Sequence, residues 1–120
     1  MADWKILLVE DDPDGQQVVE RMLRHNRIEV NTVGSAEDAL DALATGEQYT
    51  AAILDLALPG MDGWTLLGRI QRDTNMPCVA ITAYHSADLA VKAIKAGFVA
   101  YFPKPLDMSF VRELQRALTV

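Results

Sequence analysis

Ile6-Leu7-Leu8-Val9-Glu10-Asp11-Asp12 sets four aliphatic residues directly against three acids. Four apolar residues in a row, with no polar alternation, suit a strand buried on both faces, as in a parallel sheet covered by helices. In open sheets of that kind, ligands bind just outside the carboxyl ends of the strands. That is where the three acids fall. The heptad therefore predicts both an architecture and the edge of it that carries chemistry.

The same pattern recurs along the chain. Ala51-Ala52-Ile53-Leu54, Cys78-Val79-Ala80-Ile81 and Phe98-Val99-Ala100-Tyr101-Phe102 are short apolar runs, and Ile28 to Val33 alternates in part, as a strand with a more exposed face would. Between the runs lie stripes at helical spacing. They are Val18, Val19, Met22 and Leu23; Ala36, Ala39, Leu40 and Leu43; Leu66, Leu67 and Ile70; Leu89, Ala90, Ala93 and Ile94; and Phe110, Val111, Leu114, Ala117 and Leu118. Ser35, Ser86 and Asp107 stand where the second, fourth and fifth helices need N-caps. Gly46 and Gly97 stand where the second and fourth need left-handed C-terminal residues. Pro13, Pro59, Pro77 and Pro105 fall in connections or at element edges, where a missing N–H does least harm. The order β-α, repeated five times, predicts an α/β domain: a five-stranded parallel sheet, doubly wound, with right-handed crossovers.

Composition narrows the classes. The chain has 120 residues, 50% of them hydrophobic, with 17 acids against 11 bases and a net charge of −6. That length suits one domain over residues 1–120 with a single core. Cys78 is the only cysteine, which excludes an intrachain disulfide and a cysteine zinc cluster. The acidic balance disfavours direct nucleic-acid binding, which depends on Lys and Arg neutralising phosphates. No basic-then-apolar leader opens the sequence and no apolar run nears the ~18 residues of a membrane span. The expectation is a cytoplasmic domain with no membrane partner.

The residues after each run converge if the fold is right. Glu10 and Asp11 follow the first run, Asp55 the third, Thr82 the fourth, and Lys104 the fifth. Three clustered carboxylates oppose one another's ionisation. A hard divalent cation relieves that conflict, and oxygen ligands suit Mg²⁺. Lys104 offers a flexible point charge and Thr82 a hydroxyl donor. Together these are the parts needed to accept a phosphoryl group on a carboxylate.

At these residues the chain resembles the receiver domain of two-component response regulators. The matching pieces are Ile6 to Asp12, Asp55 to Gly63, Ile81-Thr82-Ala83 and Tyr101-Phe102-Pro103-Lys104-Pro105, in family order and spacing over essentially the whole chain. The resemblance implies a flavodoxin-like (βα)5 fold with strand order 2-1-3-4-5. It implies Asp55 as phosphoacceptor, Asp11 as direct Mg²⁺ ligand, Glu10 as its partner acting through water, and the backbone carbonyl of Ala57 as a further metal contact. Lys104 matches the lysine that contacts the phosphoryl group, Thr82 the hydroxyl that binds it, and Tyr101 the aromatic switch. Pro105 matches the proline that follows a cis peptide bond. The implied partners are a sensor histidine kinase or phosphotransfer protein. An output domain or downstream protein would dock on the fourth helix, fifth strand and fifth helix.

Blander readings stand beside these. Asp12, Asp14 and Asp62 suit helix starts and turns. Cys78, Trp4 and Trp64 suit packing, and His25 and His85 suit the surface, with His85 bordering the crevice. Ala57 and Tyr84 lie two residues past Asp55 and Thr82 and offer no carboxylate or amide to orient a water. That predicts slow self-dephosphorylation, with Tyr84 able to obstruct the water's path. Val99 and Ala100 stand where winged-helix regulators carry acids, so the charged dimer interface of that class is not expected. A Mg²⁺-dependent aspartyl-nucleophile phosphatase is the competing enzyme class, but Ala57 cannot protonate a leaving group. A receiver-like binding module that is not phosphorylated is the third reading, opposed by the intact Glu10, Asp11, Asp55, Thr82 and Lys104. Catalysis is expected only toward the chain's own phosphorylation and dephosphorylation.

Overall fold

The computed structural model describes residues 3–119; positions 1, 2 and 120, which belong to the expected domain span, lie outside the described residues. The elements run β1 (Lys5–Val9), α1 (Pro13–His25), β2 (Glu29–Val33), α2 (Ala36–Ala44), β3 (Ala51–Asp55), α3 (Gly63–Asp73), β4 (Cys78–Thr82), α4 (Ala87–Ala96), β5 (Ala100–Pro103) and α5 (Phe110–Leu118). All four strand pairings are parallel, in the order β2-β1-β3-β4-β5. The expected α/β, flavodoxin-like architecture is the one observed.

Side chains alternate across the sheet into two apolar layers. Leu7, Val9, Leu54 and Ala80 pack beneath α2, α3 and α4, where Leu66, Ile70 and Phe98 meet them. Ile6, Leu8, Ile53 and Ile81 pack beneath α1 and α5, against Leu23, Phe110 and Leu114. β3 and β4 are buried along their whole length, as their unbroken apolar runs require. Cys78 is buried, and burial pushes its thiol up to about 12, so it behaves as a small hydrophobe. Among the described residues no helix is long and apolar enough to cross a membrane.

Helix starts follow local chemistry. Asp12, Ser35, Asp62 and Ser86 each accept a backbone N–H three residues on, at 2.8–3.0 Å. The fifth cap differs from expectation. Asp107 accepts from the N–H and hydroxyl of Ser109 in a tight turn, so α5 opens at Phe110 with Ser109 as its cap residue. The last strand also starts later than its apolar run. Gly97, at φ 121°, ends α4, and the Phe98 N–H bonds back to the Ala93 carbonyl. Phe98 is therefore a core plug closing α4, and the ladder begins at Ala100. Two stripe residues face out: Val18 is 45% exposed and Ile94 52% exposed.

Candidate functional site

The carboxyl ends of β1, β3, β4 and β5 bring together Glu10, Asp55, Thr82 and Lys104. Ligand oxygens of Glu10, Asp11 and Asp55 lie within 4.8 Å of one another. Glu10, Asp55 and Thr82 are the buried polar residues among those described, at 0%, 5% and 1% exposure. Asp11 is exposed, at the mouth. Polar side chains this deep remain only where partners satisfy them.

Lys104 is the partner. Its ammonium donates to Glu10 Oε1 and to Asp55 Oδ2, the latter at 2.9 Å. The remaining Asp55 oxygen accepts the Ala57 N–H at 2.9 Å. The sheet aims Lys104, whose backbone N–H bonds to the Thr82 carbonyl at 2.7 Å; the Lys104–Pro105 peptide bond that follows is cis. Thr82 Oγ1 accepts the Tyr84 N–H at 3.1 Å, which leaves the hydroxyl proton to be donated elsewhere.

One ammonium serves two carboxylates, and the two respond in opposite directions. Burial and the nearby Asp55 charge push Glu10 up to about 7, against the pull of Lys104. Burial alone would also raise Asp55, but hydrogen bonds from Glu10, Lys104 and the Ala57 N–H outweigh it and hold Asp55 below the usual carboxylate range. Burial would lower Lys104, yet its two carboxylate partners keep it raised and charged. At neutral pH the site thus holds an ionised Asp55 beside a Glu10 near its midpoint.

One contributor escaped the sequence reading. Gln16 Nε2 donates to the Glu10 carbonyl at 2.6 Å and ties α1 to the end of β1. His85 is exposed as expected, but its Nδ1 lies 3.1 Å from the Tyr101 hydroxyl, so the half-buried aromatic residue on β5 has a named partner. Tyr84 is 73% exposed, with its backbone N–H on Thr82 Oγ1. Trp64 packs edge-on to Phe98 and lies under the Lys92 ammonium.

Gly63, the first residue of α3, is buried against the end of β3. A Cβ there would lie 2.5 Å from the Asp55 carbonyl oxygen and 3.0 Å from Leu56 Cα. Both are backbone atoms and cannot swing aside. Gly63→Ala should therefore destabilise by about 1–3 kcal/mol despite alanine's better helix propensity. The urea midpoint checks this, and an unchanged or raised midpoint would contradict the packing.

Acids, ammonium and hydroxyl gathered at the carboxyl edge of a 2-1-3-4-5 sheet define a phosphoacceptor class of α/β domain. The comparisons agree. The sequence profile of the response regulator receiver domain matches residues 6–116. The chain belongs to that family. It is 34% identical to the response regulator protein PilR of Pseudomonas aeruginosa over 95% of its own length, but spans only 26% of PilR. It is 32% identical to an uncharacterized 14.6 kDa protein of Leptolyngbya boryana, covering 97% of this chain and 91% of that one. A crystal structure of a response regulator from Chloroflexus aurantiacus aligns with TM-score 0.88 at 29% identity, over 98% of each chain.

Proposed function

We propose that this receiver domain is a switch set by phosphorylation of Asp55, with a histidine kinase or phosphotransfer protein as donor. The observation that carries the reading is the Asp55 carboxylate, buried within an acidic cluster and paired to Lys104. In the transfer, an Asp55 oxygen attacks phosphorus and the phosphorus–nitrogen bond to the donor histidine breaks. The electron pair leaves with the imidazole. The hydrogen bond from the Ala57 N–H orients the carboxylate. Lys104 offsets charge on the transferred group, and the Thr82 hydroxyl donates to one of its oxygens.

Clustered hard oxygens fit Mg²⁺. Glu10, Asp11, Asp55 and the Ala57 carbonyl would hold it. When bound it supplies positive charge against the phosphoryl oxygens.

Movement of Thr82 toward the phosphoryl group opens space for Tyr101, whose inward turn gives up the His85 bond. The face of α4, β5 and α5 then changes, and Val91, Ile94 and Val99 are exposed there for an output domain or downstream protein. The partner chain, a cytoplasmic location, the absence of activity on other substrates and a single receiver unit over residues 1–120 all belong to this reading. A fluoroberyllate titration with Mg²⁺, followed by Trp64 fluorescence, tests it. A saturating change is expected, absent in Asp55→Asn; an identical change in that variant counts against it.

Self-dephosphorylation should be slow, because neither Ala57 nor Tyr84 can orient the attacking water. Ala57→Asn with Tyr84→Glu should speed decay by on the order of ten-fold or more. Unchanged decay of the phosphorylated form would sink this expectation.

A further inference from the structure

The geometry points to Gly15 as a positioning residue, the seat that lets Glu10 fold its carboxylate under α1 and clamp Lys104. Gly15 lies in the first turn of α1, three residues after the Asp12 cap. Its backbone needs no glycine, for the glycines at positive φ are Gly46, Gly60 and Gly97. An ordinary helical position favours alanine over glycine. The reason for glycine is space. A Cβ at position 15 would run into Glu10 Oε1, and would lie 3.0 Å from Glu10 Cδ and 3.3 Å from Cγ.

On a surface glutamate such a clash would be trivial. Glu10 is fully buried, and the same Oε1 accepts from Lys104. Its other oxygen receives the Asp12 N–H at 3.4 Å. Displaced from Gly15, the carboxylate must leave Lys104 or press toward Asp55 and Asp11, where like charge opposes it. Glutamate carries one methylene more than aspartate, and that extra length is what the missing Cβ accommodates. Gly15 thereby fixes where one of the three acids stands and how Lys104 divides itself between two carboxylates.

Gly15 also borders a groove of about 310 Å³ lined by Val18, Ala83, Lys104, Pro105 and Leu106. If it served only to open that groove, the identity of residue 10 would not matter. The two roles therefore separate in a double-mutant cycle.

The full chain is compared as wild type, Gly15→Ala, Glu10→Asp and the double variant, by urea midpoint in EDTA and by Mg²⁺ titration in a calorimeter. Gly15→Ala should lower the midpoint when residue 10 is glutamate. In the Glu10→Asp background the same substitution should raise it, since the clash is gone and helix propensity remains. If Gly15→Ala alone does not fold and the double variant does, the reversal is only larger. Mg²⁺ affinity should fall about ten-fold in Gly15→Ala and return, in the double variant, to within about two-fold of Glu10→Asp alone. A shift of the same sign in both backgrounds, or a Mg²⁺ affinity that Glu10→Asp does not restore, overturns the assignment. The metal arm rests on the phosphoacceptor reading. The stability arm does not: a sign reversal in a protein that takes no phosphoryl group would retire that reading and leave the Gly15 seat standing.

Discussion

Lys104→Ala should destabilise the metal-free protein by about 3 kcal/mol at pH 8. Removing one member of a buried, hydrogen-bonded charge group leaves the others uncompensated, at a cost of roughly 3–5 kcal/mol. Lys104 retains 21% side-chain exposure, so the lower end of that range applies. Two carboxylates lose their partner at once, because the ammonium bonds both Glu10 and Asp55. The loss should shrink at pH 5, where Glu10 takes a proton and the like-charge conflict disappears. Millimolar Mg²⁺ should return much of it at pH 8 by supplying the missing positive charge to the folded state alone. Urea unfolding with EDTA or Mg²⁺ checks this. A small cost, equal at both pH values and insensitive to Mg²⁺, would mean that Lys104 does not hold the acids together.

The second large effect is the pH dependence carried by Glu10. Its pKa is raised from 4.5 to about 7 by burial and by Asp55, against the opposing effect of Lys104. Between these values the folded state binds a proton that the unfolded state has released. The contribution is therefore fully present below pH 4.5 and lost as pH rises through 7. At about 1.4 kcal/mol per pKa unit, the span amounts to ~3–4 kcal/mol. Asp55 acts in the opposite sense and at lower pH, since its depressed pKa costs stability only as pH falls below the ordinary carboxylate range. The stability of wild type in EDTA, measured against Glu10→Gln across pH 4.5–7.5, isolates the Glu10 contribution. The variant should gain relative to wild type as pH rises, and a flat difference would contradict a protonated Glu10. Mg²⁺ should stabilise wild type more at pH 8 than at pH 6, because metal binding displaces the proton.

These two effects expose what sequence could and could not supply. The unbroken runs of β1, β3 and β4 were legible because strands buried on both faces leave no other composition open. The caps at Ser35 and Ser86 were legible because capping is local chemistry. Phe98 was misread as strand because an apolar residue that plugs the core after a helix looks the same as one that begins a ladder. The convergence of Glu10, Asp55, Thr82 and Lys104 followed from topology, since all four sit at carboxyl ends of parallel strands. What one ammonium does between two acids did not follow, because it depends on distances of a few ångströms and on burial. Gly15 and Gly63 carried a faint signal: each is a poor helix former inside the first turn of a helix, directly beside a site acid or its strand. That signal names a close approach without naming the atom approached. The Tyr101–His85 bond carried none, for the two residues are sixteen positions apart and share no pattern.

The central claim is that Asp55 accepts the phosphoryl group. Intact mass after incubation with acetyl phosphate tests it most directly. One phosphoryl group should appear with Mg²⁺, little or none in EDTA, and none in Asp55→Asn under either condition. Incorporation that survives Asp55→Asn, or no incorporation into wild type with Mg²⁺ present, would contradict the account.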